Sequence, residues 1–99
     1  MSGVVREVEI EAPPEDVWDA LVTEEGRERW LGEEAAGVEI ESFEPHHRLV
    51  WQWQGEEGGI STVDFRIVAI PAGSRVIVTE TEPALPLASL AASFALVAA

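Results

Sequence analysis

The 99-residue chain contains no cysteine, no lysine and no tyrosine. The absence of cysteine excludes disulfides and thiolate metal sites, so packing alone must stabilise the fold. It also means that cysteine usage does not indicate whether the protein works in an oxidising or a reducing compartment. Its six basic residues face 19 Asp and Glu residues, which gives a formal net charge of −13. Because so acidic a chain would repel a phosphate backbone, we expect no nucleic-acid binding and assign the charge to a solvated surface.

Long hydrophobic runs are also scarce. The N-terminal segment, Met1 to Glu11, has no basic stretch followed by an apolar one, so we expect no secretory signal and a cytoplasmic protein. The long apolar stretch, Ala84 to Ala99, would span about 24 Å as a helix, short of the roughly 30 Å of a bilayer core. We therefore expect no membrane span. The length and the absence of a linker predict a single domain over residues 1–99.

Five segments carry strand patterns. In the first of them Val8 and Ile10 alternate with glutamates, which is typical of a strand with one buried face. Turns centred on His46 and Ala72 join the later segments in pairs, so we predict two hairpins and an antiparallel sheet of about five strands. The predicted strands are Val4 to Glu11, Val38 to Glu44, Leu49 to Gln54, Ser61 to Ile70 and Arg75 to Glu82.

Three helices are predicted around these strands. Pro14 opens a short amphipathic helix that continues through Val22. Thr23 is suited to cap a second helix, and Gly32 to end it. The C-terminal helix has an apolar stripe at helical spacing, and its opposite face carries no charge, which is typical of a helix buried on more than one side. The stripe consists of Leu87, Leu90, Ala91, Phe94 and Val97.

Several of these segments resemble a known family. The run VEIEAPPEDVWDAL, from Val8 to Leu21, followed by Arg29-Trp30-Leu31-Gly32, resembles the opening of SRPBCC proteins, also called the START or Bet v 1-like superfamily. The later runs FEPHHRLVWQW, STVDF and SRVIVTE resemble the branch of homologues of the heat-shock-protein-90 ATPase activator. The resemblance covers about residues 4–82.

The resemblance implies an α+β helix-grip fold, in the order β-α-α-β-β-β-β-α, with the antiparallel sheet packed on the C-terminal helix. Family members usually carry a further hairpin, for which Glu33 to Gly37 leaves no room. The strand Val38 to Glu44 would then be a bare edge, open to pairing with another chain. Together with the uncharged C-terminal helix, this edge strand leads us to expect a homodimer formed through both elements.

The resemblance also implies a cavity between sheet and helix that holds a small hydrophobic molecule. Side chains predicted to face it are mostly aromatic or aliphatic, as in other ligand cavities. A second reading, in which the tryptophans simply fill the core, stays open. The candidate ligand-binding residues are Trp30, Leu49, Trp51, Trp53, Phe65, Glu80, Leu90 and Phe94.

Other chemistry is weakly supported by the sequence. His46 and His47 adjoin in a turn with no third histidine or cysteine, so we expect neither a metal site nor a cofactor. Glu80 and Glu82 are carboxylates that an apolar cavity could use as acid or base, but no catalytic motif accompanies them. We therefore predict a non-catalytic binding protein. The alternatives are a protein-interaction or co-chaperone-like module and, less favoured, a cyclase- or hydrolase-like enzyme.

Overall fold

The computed structural model describes residues 3–54, 59–81 and 86–95. These residues form five strands, three α-helices and one 3-10 helix. In chain order they are β1 Val4–Ile10, α1 Pro14–Val22, α2 Glu24–Leu31, the 3-10 helix Gly32–Gly37, β2 Val38–Glu44, β3 Arg48–Gln54, β4 Ile60–Ile70, β5 Gly73–Glu80 and α3 Leu87–Ala95.

The five strands form one antiparallel sheet in the order β1-β5-β4-β3-β2. This arrangement, with helices packed on the sheet, confirms the predicted α+β helix-grip fold. Strand β2 lies at one edge, as expected, and β1 lies at the other. The predicted end of the last strand, Glu82, lies outside the described residues.

The turn between β4 and β5 is tighter than predicted. We placed Gly73 in the turn, whereas it is the first residue of β5 and pairs with Ile70. Its φ of 144° is a conformation that side chains disfavour, and a Cβ there would collide with the carbonyl oxygen of Ile10. Glycine therefore lets β5 begin directly against the end of β1.

The two short helices begin and end at the predicted residues. The backbone N–H of Gly26 donates to Thr23 Oγ1 at 2.9 Å, which caps α2. Gly32 ends α2 with a φ of 67°. A Cβ on Gly26 would lie 2.5 Å from the carbonyl oxygen of Asp19, so α1 and α2 approach closely at this glycine.

The helices cover one face of the sheet, which we call the inner face. Helix α1 packs on β4 and β5, and α3 packs on β1 and α2. On α3, Leu87 and Leu90 are buried. Ala88, Ser89 and Ala92 on the other side of α3 are exposed, so within one chain the helix is buried on one side only. No helix in the described ranges is long and apolar enough to cross a membrane.

Candidate functional site

The inner face is apolar and aromatic at its centre. On β3, Leu49, Trp51 and Trp53 alternate with outward-facing residues and are 0%, 0% and 3% exposed. Strand β4 continues this surface, because Phe65 pairs with Leu49 and Val63 pairs with Trp51. The period-2 pattern of each strand therefore places large side chains side by side.

Trp30 of α2 covers this surface from the helical side. Its ring stacks on Trp51, with centroids 6.3 Å apart and an interplanar angle of 27°. Phe65 meets Trp51 edge-on at 4.5 Å, an arrangement that aromatic pairs favour. The indole Nε1 of Trp30 donates to the carbonyl oxygen of Ala20 at 3.0 Å, which ties α2 to α1.

A charged pair interrupts the inner face near β1. Glu80 is 0% exposed, and its Oε1 accepts hydrogen bonds from Arg6 Nε at 2.8 Å and from Arg6 Nη2 at 2.6 Å. The salt bridge compensates the desolvation of the buried carboxylate. Arg6 was not among the predicted site residues, although its place two residues before Val8 puts an arginine in the apolar register of β1.

The structure brings the predicted ligand-binding residues together. Seven of the eight are buried, and Phe94 is half-buried against the core. Six of the buried residues belong to one hydrophobic cluster, while Glu80 lies beside it in the pair with Arg6. Their role in ligand binding stays a prediction.

One buried polar atom at this centre lacks a partner. The indole Nε1 of Trp51 makes no hydrogen bond in the described part of the chain. Outside this centre, Arg27 Nε and Arg75 Nε are also buried without a partner among the described residues, whereas Arg27 Nη1 donates to the carbonyl oxygens of Leu21 at 3.1 Å and Val22 at 2.9 Å, at the end of α1. Burial lowers the pKa of Arg27, and the nearby charge of Glu24 opposes that shift.

An open groove of about 650 Å³ lies between the three helices. Four carboxylates and one arginine give its walls a net negative charge, and Arg29 Nη2 is 3.2 Å from Glu25 Oε1. Phe94 is the one predicted site residue among its lining side chains. The groove is lined by Glu11, Ala12, Pro13, Asp16, Asp19, Ala20, Thr23, Glu25, Gly26, Arg29, Ser93 and Phe94.

The outer face of the sheet carries ion pairs between neighbouring strands. Arg48 Nη2 lies 2.7 Å from Asp64 Oδ2, and Arg75 Nη2 lies 2.9 Å from Glu9 Oε2. The hydrogen bond and the charge of Asp64 raise the pKa of Arg48, and Glu9 acts in the same way on Arg75. These side chains serve as a solvated surface.

The predicted histidine turn packs against an aromatic side chain. The ring of His46 lies 6.0 Å from that of Trp18, which also lies 6.2 Å from the 62% exposed Phe43. His46 adopts a φ of 66°. Within the described ranges, no three His, Asp or Glu side chains converge as a metal ion would require.

Comparison with known proteins assigns the family. The family model described as "Polyketide cyclase / dehydrase and lipid transport" matches residues 1–99. The chain belongs to this family, which lies within the SRPBCC superfamily that the sequence resembles. No curated protein sequence matches it.

Solved structures share the fold at low sequence identity. A protein from Mesorhizobium loti is 24% identical with a TM-score of 0.66, over 95% of this chain and 88% of that one. A protein from Chromobacterium violaceum is 14% identical with a TM-score of 0.72, over 95% and 98%. The Aha1 dimer from Colwellia psychrerythraea is 18% identical with a TM-score of 0.66, over 97% and 90%.

Proposed function

We propose that this protein binds a small apolar molecule between the inner face of the sheet and α3, and that it catalyses no reaction. The observation that carries this proposal is the aromatic and aliphatic surface centred on Trp51, which Trp30 covers from the helical side and which shares one hydrophobic cluster with Leu90 of α3. Apolar walls with a few polar groups are typical of ligand sites. The family description, which includes lipid transport, supports the same class of ligand.

Helix α3 is the element that moves to admit the ligand. The inner face is filled by side chains, so a ligand must displace some of them to enter. Helix α1 packs over the central strands β4 and β5, whereas α3 packs on the edge strand β1 and on α2. Displacing α3 therefore uncovers apolar surface without breaking the sheet, and Phe94 is already half-buried on its last described turn.

The Arg6–Glu80 pair forms the polar end of this site. Both side chains lie in the register of the inner face: Arg6 belongs to β1, the strand on which α3 packs, and Glu80 to the neighbouring strand β5. Because the ion pair interrupts an otherwise apolar wall, a polar group of the ligand is tolerated where it faces this pair. Its part is to orient the ligand.

Binding is tested with N-phenyl-1-naphthylamine, an uncharged hydrophobic fluorophore. We expect saturable energy transfer from tryptophan at one probe per chain. Leu90→Gln places an amide in the site and weakens binding, whereas Ala92→Gln, the same change on the exposed side of α3, leaves binding unchanged. Circular dichroism checks that both variants fold. Non-saturable uptake, or equal binding by both variants, would overturn the proposal.

We also propose a homodimer formed through β2 and α3. Strand β2 is an edge with a bulge between Ile40 and Ser42, and its Phe43 is 62% exposed. The exposed small residues of α3 offer a second uncharged surface. The related structure from Colwellia psychrerythraea is described as a dimer, which supports this reading.

Sedimentation velocity at micromolar concentration tests the dimer. We expect a dimeric species that Phe43→Glu weakens, because it adds charge to an edge that already carries Glu39, Glu41 and Glu44. Ile60→Glu is the matched control, since Ile60 is equally exposed at 65% but belongs to β4. A strict monomer for the wild type would contradict the proposal.

A further inference from the structure

The unpaired indole N–H of Trp51 is the feature of the inner face that packing does not explain. Trp51 is 0% exposed, and its Nε1 has no hydrogen-bond partner among the described residues. Buried tryptophans usually find an acceptor, because burial removes the water that the N–H would otherwise bind. Trp30, stacked on Trp51, follows this rule through the carbonyl oxygen of Ala20.

The side chains known to adjoin Trp51 cannot supply the missing acceptor. Its cross-strand partners are Ile40 and Val63, and its ring neighbours are Trp30 and Phe65. None of these four side chains carries an acceptor oxygen, and the indole N–H of Trp30 is itself a donor. Within the described part of the chain the N–H has no acceptor, so a bound molecule that carries one would complete this site.

The edge of the sheet lies one strand away from the indole. Strand β2 is the outermost strand, and Ile40, opposite Trp51, is half-buried rather than buried. The donor is therefore buried in the apo fold but close to its boundary. Ile40 is thus the described side chain that lies between Trp51 and the β2 edge in the strand register.

We propose that Trp51 Nε1 donates a hydrogen bond to an acceptor oxygen of the ligand, so that Trp51 selects, among apolar molecules, those that carry such an oxygen. This inference rests on the proposed binding of an apolar molecule and specifies its chemical class. The apolar walls contribute affinity for the carbon skeleton. The donor contributes selectivity, because a skeleton without an oxygen leaves the N–H unpaired in the complex as well.

Two probes of nearly equal shape test the carbonyl. 2-Acetylnaphthalene and 2-ethylnaphthalene differ in the replacement of a carbonyl oxygen by two hydrogens. We expect the ketone to bind roughly tenfold more tightly, the size of one hydrogen bond made in a dry site. The chain has four tryptophans, so four indole N–H signals are expected in a nitrogen-15 NMR spectrum. That of Trp51 moves downfield with the ketone and not with the hydrocarbon.

Two matched variants separate the N–H from the ring. Trp51→Phe keeps an aromatic ring and removes the donor, so the tenfold preference for the ketone is lost while the hydrocarbon still binds. Trp18→Phe is the control: Trp18 packs beside Phe43 and His46, outside the candidate ligand-binding residues, so the preference persists. The wild-type NMR shift gives the same answer without relying on the folding of either variant.

The outcomes distinguish this inference from the function on which it rests. Equal affinity for both probes with an unmoved Trp51 signal would overturn the hydrogen bond and leave the apolar site standing. An ordered water that stays on Nε1 in the ketone complex would overturn it too. Failure of the wild type to bind either naphthalene would overturn both proposals together.

Discussion

The inner face of the sheet and the groove between the helices offer a ligand opposite conditions. The inner face is closed, and its centre at Trp51, Phe65 and Leu49 is fully buried. The groove is open, with a volume of about 650 Å³, but its walls carry the carboxylates of Asp16, Asp19 and their neighbours. Concavity alone favours the groove, whereas surface chemistry favours the inner face for an apolar ligand.

The comparison shows that a concave shape alone does not make a site for an apolar ligand, because the chemistry of the walls also matters. An open, charged groove keeps its side chains hydrated, so an apolar molecule gains little by entering it. The inner face has the apolar surface but must open before it can bind. We therefore expect changes at the centre of the inner face to affect both stability and binding, whereas changes to the exposed charged side chains of the groove should affect both far less.

Trp51→Ala is expected to have the largest effect. Removing a fully buried aromatic side chain leaves a cavity and costs about 3 to 5 kcal/mol in the free energy of unfolding. Urea denaturation followed by circular dichroism measures the loss. A cost below about 1 kcal/mol would show that the centre of the inner face is loosely packed and would remove its contrast with the groove.

Arg6→Met should follow, at about 3 kcal/mol, because it leaves the carboxylate of Glu80 buried without its arginine. The matched control is Arg29→Met. Arg29 pairs with Glu25 at the groove surface, where both side chains are largely exposed, so the expected cost is below about 1 kcal/mol. Equal urea midpoints for the two variants would contradict the difference drawn between the regions.

Gly73→Ala is expected to cost about 2 kcal/mol, through its φ of 144° and the collision of a Cβ with Ile10. Gly32→Ala shares the positive φ but has no atom within 4 Å of the new Cβ, so about 1 kcal/mol is expected. Thermal unfolding compares the two variants. A smaller loss of stability for Gly73→Ala than for Gly32→Ala would mean that the backbone where β5 begins against β1 can shift to accommodate a Cβ.

Combined Asp16→Asn and Asp19→Asn should have the smallest effect. Both side chains are exposed on α1, so the free energy of unfolding is expected to change by less than about 0.5 kcal/mol. Affinity for N-phenyl-1-naphthylamine should also be unchanged. A several-fold gain in affinity would assign the apolar site to the groove instead.

The sequence predicts the helices and strands of the fold better than it predicts the tertiary contacts between them. Alternation in strands β1 and β3, and the cap and end of α2 at Thr23 and Gly32, are local signals that the structure confirms. The Arg6–Glu80 pair joins residues 74 positions apart, so no local pattern contains it.

The candidate site shows the same division. The alternation of Leu49, Trp51 and Trp53 predicted their common face correctly, because strand periodicity is local. Whether the N–H of Trp51 finds a partner depends on the groups that surround it once β3, β4 and α2 have packed together. The groove depends on how the three helices pack against one another. The spacing of residues along the chain therefore predicts neither the unpaired N–H nor the groove.

The most direct test of an apolar site on the inner face is a crystal structure of the protein with 2-bromonaphthalene, whose bromine is located by anomalous scattering. We expect a bromine peak against the aromatic centre formed by Trp30, Trp51 and Phe65. A peak in the groove beside Asp16 and Phe94, with none on the inner face, would contradict it.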